Sequence, residues 1–152
     1  MSLDLLTYRA AHMSQAQALG LFGQVVGHEP VSAPGSGLTY AVWVARVGTV
    51  PAGSGLAAGT GRLELTGRVF MPADSEPQDD VDVQVTSAVD QLLAALFGDF
   101  TLGGAVRNVD VFGAHGAPLG AAFGFTRFDS TTYRVATLTI PLIVNDVWTE
   151  VA

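Results

Sequence analysis

Charged side chains are unusually scarce in this chain, and the scarcity limits how its surface can meet water. Asp, Glu, Lys and Arg make up 14% of the 152 residues, whereas soluble domains average about 25%. The seven basic residues are all arginines, and fourteen carboxylates give a formal net charge of −7. With 49% apolar residues, the chain is not of the disordered type. We therefore expect a folded protein that buries surface against its own copies or other partners, unless the composition only reflects a GC-rich genome.

Length and residue types exclude several classes of protein. The length predicts one domain over residues 1–152, with residues 1–12 as a flexible or docking arm. Cysteine is absent, so disulfides, thiolate metal sites and a cysteine nucleophile are excluded. No apolar window reaches the length of a membrane span, and the first residues lack the basic stretch of a signal peptide. Seven arginines against fourteen carboxylates disfavour binding to duplex DNA.

Hydrophobic periodicity predicts strands and helices in an α+β arrangement. Apolar residues at helical spacing predict a helix from Ser14 to about Val26, and a second helix over residues 80–97. Alternating patterns and β-branched residues predict strands over residues 38–47, 62–71, 105–112, 119–128 and 133–144. We expect a mainly antiparallel or mixed sheet packed by two or three helices.

The second helix carries the clearest pattern. Its apolar stripe runs through Val85, Val89, Leu92 and Leu96, and Gly98 is expected to end it. Phe100 is expected to fold back as an anchor. Five carboxylates before and within its first turn form a candidate acidic surface that favours the positive end of the helix dipole: Asp74, Glu76, Asp79, Asp80 and Asp82.

Two glycine-rich segments are predicted to be contact elements. Residues 48–61 read as a long loop, and loops of that length inside a compact domain are usually functional or disordered. Residues 113–118 read as a turn. Candidate contacts in the first segment are Gly53, Ser54, Gly55 and Leu56.

The sequence offers no convincing catalytic or metal-binding set. A phosphate-binding loop of the GxxxxGK type cannot exist without lysine. Pro30 follows His28 and Glu29, so this segment is not a helical zinc motif. His115 could act as a base only with an orienting carboxylate such as Asp110 or Asp129. The acidic residues lack the spacing of a calcium loop. We expect no enzyme activity, metal or cofactor.

The remaining candidates are contacts with other subunits or partners. The surplus of carboxylates suggests that several arginines form ion pairs between subunits, and tryptophan is common at the centres of interfaces. The candidate residues are Arg62, Arg68, Arg107, His115, Arg134 and Trp148.

Several segments, taken in order, resemble a known family. They are His28-Glu-Pro-Val-Ser-Ala-Pro-Gly-Ser-Gly-Leu-Thr, Ala41-Val-Trp-Val, Pro51 to Ser54-Gly-Leu, Gly98-Asp-Phe-Thr-Leu-Gly-Gly-Ala-Val-Arg-Asn-Val-Asp, Tyr133-Arg-Val and Pro141-Leu-Ile-Val-Asn-Asp-Val-Trp. Their order and spacing over residues 16–148 resemble the tail terminator family of long-tailed bacteriophages, in the branch common among phages of high-GC Gram-positive hosts.

The resemblance implies a structural role rather than a reaction. It implies a ring, usually a hexamer, that caps the head-proximal end of the tail tube, stops tube polymerisation and presents the surface for head attachment. Implied partners are other copies of the chain, the tail tube protein, the head connector or head-completion protein, and genomic DNA in passage; no membrane is implied. The implied location is the virion tail or neck, after assembly in the host cytoplasm. Three alternatives stay open: another neck protein, a small hydrolase using His115, and a monomeric binding domain.

Overall fold

The protein folds as a curled mixed sheet with two helices, which confirms the predicted α+β class. The computed structural model describes residues 3–51 and 58–149. The helices are α1 (Leu5–Ala18) and α2 (Val81–Gly98), and a short 3-10 turn, Gln78–Asp80, leads into α2. The strands are β1 (Gln24–Val26), β2 (Thr39–Val50), β3 (Ala58–Pro72), β4 (Asn108–Val109), β5 (Gly120–Phe128) and β6 (Thr131–Thr149).

Three long strands form the centre of the sheet. β2 pairs with β3, and β3 pairs with β6, both antiparallel. The short β1 lies parallel to β2 and pairs only with its first residues, from Thr39 to Ala41. On the side of β6 that faces away from β3, β5 pairs with the first half of the strand and β4 with Leu142 and Ile143.

The main core lies between the helices and one face of the sheet. The stripe of α2 predicted from the sequence is buried, with Val85, Leu92 and Leu96 fully covered, and α2 contacts β3 and β6. The opposite face carries a smaller aromatic cluster of Phe70, Phe128 and Tyr133. The Tyr133 hydroxyl donates a hydrogen bond of 2.7 Å to the carbonyl of Pro34, which ties the loop before β2 to that face.

The first helix begins earlier than predicted. The sequence predicted an arm over residues 1–12 and a helix from Ser14, but α1 occupies Leu5–Ala18. Asp4 caps it by accepting a hydrogen bond from the backbone N–H of Thr7. Its buried residues are Tyr8, His12 and Ala16, one turn apart. Burial of this face explains why residues 5–12 are helical rather than an arm, and the chain beyond the helix forms β1.

One predicted loop and two predicted strands also differ from the structure. Residues 48–50 belong to β2 and residues 58–61 belong to β3, so the predicted loop does not extend over them. The expected strand over residues 105–112 is reduced to β4, because successive turns precede it, with left-handed backbone at Leu102, Gly103 and Gly104. Residues 145–149 extend β6.

A buried hydrogen-bond chain joins three elements of the core. The Tyr40 hydroxyl lies 2.6 Å from Nε2 of His12, and Nδ1 of His12 lies 3.1 Å from Oε1 of Gln15. Gln15 in turn donates from Nε2 to the carbonyl of Ala95. Because a carboxamide oxygen only accepts, Nδ1 carries the proton and Nε2 accepts from Tyr40. The chain therefore connects β2, α1 and α2 through a neutral imidazole.

Acid should weaken the fold through His12. Burial lowers its pKa from 6.5 to about 4, and the hydrogen bond to Gln15 opposes this shift. The unfolded chain therefore takes up a proton below pH 6.5 that the folded chain refuses until about pH 4. This contribution to stability is complete above pH 6.5 and is lost as the pH falls towards 4. We expect it to lower the free energy of unfolding by about 2 kcal/mol between pH 7 and pH 5.

Urea unfolding at a series of pH values measures this loss. A His12→Asn variant should be less stable at pH 7 and should lack that part of the pH dependence. His28→Asn removes an exposed imidazole in the loop between β1 and β2 and serves as the control. Equal slopes for all three proteins would refute the assignment to His12.

Candidate functional site

His115 was the candidate catalytic base, and its surroundings are those of the loop that carries it. It is exposed in the loop between β4 and β5. Asp110 accepts hydrogen bonds from the backbone N–H groups of Ala114 (2.8 Å) and His115 (3.0 Å), so its carboxylate shapes the loop. In the part of the chain that the structure describes, no carboxylate bonds to the His115 imidazole. The predicted Asp110–His115 pair therefore exists through the backbone N–H of His115.

The predicted acidic surface is exposed and does not gather into a metal site. Asp74, Glu76, Asp79 and Asp80 all face solvent. Asp82 is exposed too, and it accepts a hydrogen bond of 2.8 Å from Nε of Arg134. Within residues 3–51 and 58–149, no group of three or more His, Asp or Glu side chains could hold a metal ion. Neither helix of these residues is long and apolar enough to cross a membrane.

Two of the predicted inter-subunit arginines form ion pairs inside the chain, and a contact role for them between subunits stays a prediction. Arg62 is buried under the loop after β4, where it donates to Glu64 (2.7 Å) and to the carbonyl of Ala117 (2.6 Å). Its Nε lies 3.5 Å from the carboxylate of Asp110. Arg134 pairs with Asp82, because β6 passes beside the first turn of α2.

The other two candidate arginines make uncharged contacts. Arg68 is half-buried, donates to the Thr137 hydroxyl (3.0 Å) and lies 5.4 Å from the centre of the Trp43 ring. Arg107 is exposed and donates to the side chain of Asn145 (3.3 Å). The exposed guanidinium of Arg107 is therefore accessible to a partner, whereas the guanidinium of Arg68 packs against Thr137 and Trp43 on the sheet.

Of the remaining contact candidates, Trp148 lies among the described residues and those of the glycine-rich segment do not. Trp148 is half-buried against the core of its own chain. A side chain on Gly61 would come within 3.1 Å of its ring, so the ring packs closely over the glycine at that position. Trp148 therefore packs within its own chain at the end of β6, and its role as a contact between subunits stays a prediction. The candidates Gly53, Ser54, Gly55 and Leu56 lie outside the described residues.

An exposed aromatic cluster is the most conspicuous feature that the sequence did not predict. Phe97, Phe100 and Phe112 are 58%, 52% and 85% exposed; we call them the phenylalanine patch. The rings of Phe97 and Phe112 meet edge to face at 6.2 Å. The three residues line a cavity of about 590 Å³, with Arg107 also on its wall.

One signal for this patch was present in the sequence. Phe97 follows Leu96 and so falls off the buried stripe of α2, which places it on the exposed side. The predicted anchor role of Phe100 is wrong, because the turns after α2 leave its ring exposed. Nothing in the pattern around Phe112 indicated exposure, since the segment read as a strand.

Comparison with known proteins gives likenesses among solved structures but none among family models or curated proteins. Among solved structures, this chain is similar to a cryo-EM structure of the sheath/tube terminator of an extracellular contractile injection system, PVC, in the extended state. The TM-score is 0.41 and the sequence identity is 14%. The match covers 100% of this chain but only 62% of the terminator chain, and no residue role transfers at this identity.

Proposed function

We propose that this chain is a structural subunit of a phage tail, which forms a ring on the head-proximal end of the tail tube. In this proposal the ring, a hexamer, halts tube polymerisation and presents the surface to which the head connector attaches. Genomic DNA passes through its opening. The subunit is not an enzyme and uses no cofactor. The observation that carries an assembly role is the exposed phenylalanine patch, and the ordered sequence resemblance supplies the kind of assembly.

The patch has the chemistry of a protein interface. Exposed apolar clusters on soluble domains usually mark contact sites, and aromatic residues with arginine are enriched in protein interfaces. Phe97, Phe100 and Phe112 with Arg107 match that composition. Burying these rings against the tube protein would stabilise the capped end, and the low overall charge leaves few ions to desolvate.

The charge of the chain suits passage of DNA. A formal charge of −7 repels phosphates, so DNA would slide past the ring without sticking. The proposed partners are therefore other copies of the chain, the tail tube protein and the head connector, with the virion tail as the location.

Substitution of the patch tests the proposal. We expect Phe112→Asp to fold normally, because the ring is exposed, and to lose capping of tubes, because a carboxylate would be buried at the contact. Val31→Asp is the matched control, since Val31 is 94% exposed but lies in the loop before β2. Purified tail tube protein is polymerised with each variant, and capped ends are counted by negative-stain electron microscopy.

The two outcomes are distinct. The control should cap as many tubes as the unaltered protein. Normal capping by Phe112→Asp would remove the patch from the contact. Absence of capping by the unaltered protein, together with binding to purified connector, would favour the alternative of a head-completion protein.

A further inference from the structure

Two stretches of the sheet have an edge that no described strand covers. β5 pairs only with β6 among the described residues, so its other side is open. β1 ends opposite Ala41, and residues 42–49 of β2 then pair only with β3. The two stretches lie on opposite sides of the sheet.

The two edges carry few of the features that usually prevent edge-to-edge pairing, and one irregularity, a register shift between Val44 and Arg46, lies in the edge of β2. Natural sheets protect open edges with lysine, proline or inward-pointing charges. β5 reads Gly-Ala-Ala-Phe-Gly-Phe-Thr-Arg-Phe, with Arg127 as its one charge, and both Phe123 and Phe125 are exposed. Residues 42–49 also contain one charge, Arg46, and expose Val44 and Val47. Such edges are templates for another strand.

Strand directions make the two edges compatible. Each step from β2 to β3, β6 and β5 is antiparallel, so β5 runs opposite to β2. When a neighbouring copy continues the sheet in the same orientation, its β2 meets β5 in the antiparallel sense. The contact joins two different surfaces, and contacts of this kind generate rings when the rotation closes.

The register also requires a stagger between copies. Across the sheet, Gly124 of β5 aligns with Thr39 of β2, because Val135 of β6 and Phe70 of β3 lie in the same row between them. The open stretch of β2 begins only after Ala41. A neighbour must therefore shift along the strand direction to align the two open stretches. Closed sheets need such a stagger, because their strands tilt relative to the axis.

We propose that β5 of one subunit pairs antiparallel with residues 42–49 of the next, so that one sheet continues around the ring. The partner at both edges is thus a second copy of this chain. This inference rests on the proposed function, from which it takes the closed ring of subunits. It adds the strands by which neighbouring subunits bind each other.

Engineered cysteines test the contact in a chain that has none of its own. Ala122 and Gly48 suit the purpose, because side chains at these two positions lie on the same face of the sheet. Ala122 aligns with Arg68 of β3 through β6, and Gly48 aligns with Arg62 of β3. These two arginines are six residues apart, an even number, so they share a face of the strand. A side chain on Gly48 meets nothing within 4 Å. The assembled protein carrying Ala122→Cys and Gly48→Cys is treated with a short bis-maleimide and run on a denaturing gel.

The expected result is a ladder of covalent oligomers at the expense of the monomer band. A mixture of the two single variants should give dimers only, and each single variant alone should give none. Replacing Gly48→Cys by Ser87→Cys, at an exposed position on α2, keeps two thiols but should abolish the ladder. Dimers from Ala122→Cys alone would mean that β5 pairs with itself, which contradicts the inference.

Light scattering and electron microscopy on the same samples separate the two proposals. Rings that cap tubes without forming the ladder would overturn the strand pairing and leave the proposed function standing. Protein that stays monomeric with and without tubes, and caps none, would overturn both.

Discussion

Replacement of Gly67 by valine should lower the free energy of unfolding by about 4 kcal/mol. Gly67 lies in β3 at the centre of the sheet, and the Tyr40 side chain occupies the space where a Cβ would stand. Tyr40 is fully buried and hydrogen-bonded to His12, so it cannot move aside freely. Overpacking a core costs roughly 1–3 kcal/mol, and a buried imidazole left without its donor costs about as much again.

Thermal unfolding followed by circular dichroism measures the effect. A loss of this size should lower the melting temperature by roughly 8–16 °C in a domain of this length. Gly48→Val is the matched control, because Gly48 lies in the neighbouring strand with nothing within 4 Å of its Cβ position. Equal melting temperatures for the two variants would show that the position of Tyr40 does not require glycine at residue 67.

Replacement of Arg62 by methionine should lower the free energy of unfolding by about 3 kcal/mol. Arg62 is 8% exposed, and its guanidinium binds Glu64 and the carbonyl of Ala117 and lies beside Asp110. Methionine retains much of the apolar stem but leaves Asp110, which is 5% exposed, without a nearby cation. Removal of one member of a buried ion pair is strongly destabilising because the remaining charge has lost its compensation.

Urea unfolding at pH 7 measures this cost. Arg127→Met is the control, since Arg127 is exposed at the end of β5 and donates to the carbonyl of Asp129 in the adjoining turn. Its effect should stay within about 0.5 kcal/mol, as for most surface substitutions. The account of Arg62 as an internal support fails when both variants unfold at the same urea concentration.

The elements predicted best are those whose pattern is produced by burial on one face. α2 was predicted within one residue at each end, because its apolar stripe at helical spacing has no competing interpretation. β2 and β3 were recognised from alternation along residues 38–47 and 62–71. Their outer parts were missed, because glycine and alanine near residues 48–61 give no alternating pattern even though the backbone pairs regularly.

The first helix shows the limit of the same reasoning. Its buried face consists of Tyr8, His12 and Ala16, and a histidine in the core does not register as apolar. Its burial depends on a hydrogen bond to Tyr40, which lies 28 residues away in the chain. Asp4 was a usable signal, because it precedes the helix and caps it through Thr7.

The candidate site was predicted less well than the fold. Arginines were recognised as scarce, but the sequence could not tell that Arg62 lies beside Asp110 or that Arg134 pairs with Asp82, since these two carboxylates come from distant segments. The phenylalanine patch depends on the turns between α2 and β4, whose left-handed residues leave no hydrophobic period. Open strand edges are a property of pairing, and single-strand patterns do not reveal which strand has no neighbour.

Electron microscopy of tail tubes grown with and without this protein tests the central claim most directly. Purified tail tube protein is polymerised alone or with the protein added during growth, and tube lengths and ends are recorded. The account predicts shorter tubes that carry a ring of extra density at one end and do not lengthen when more tube protein is supplied. Tubes that keep their length, lack the ring and continue to grow would contradict it.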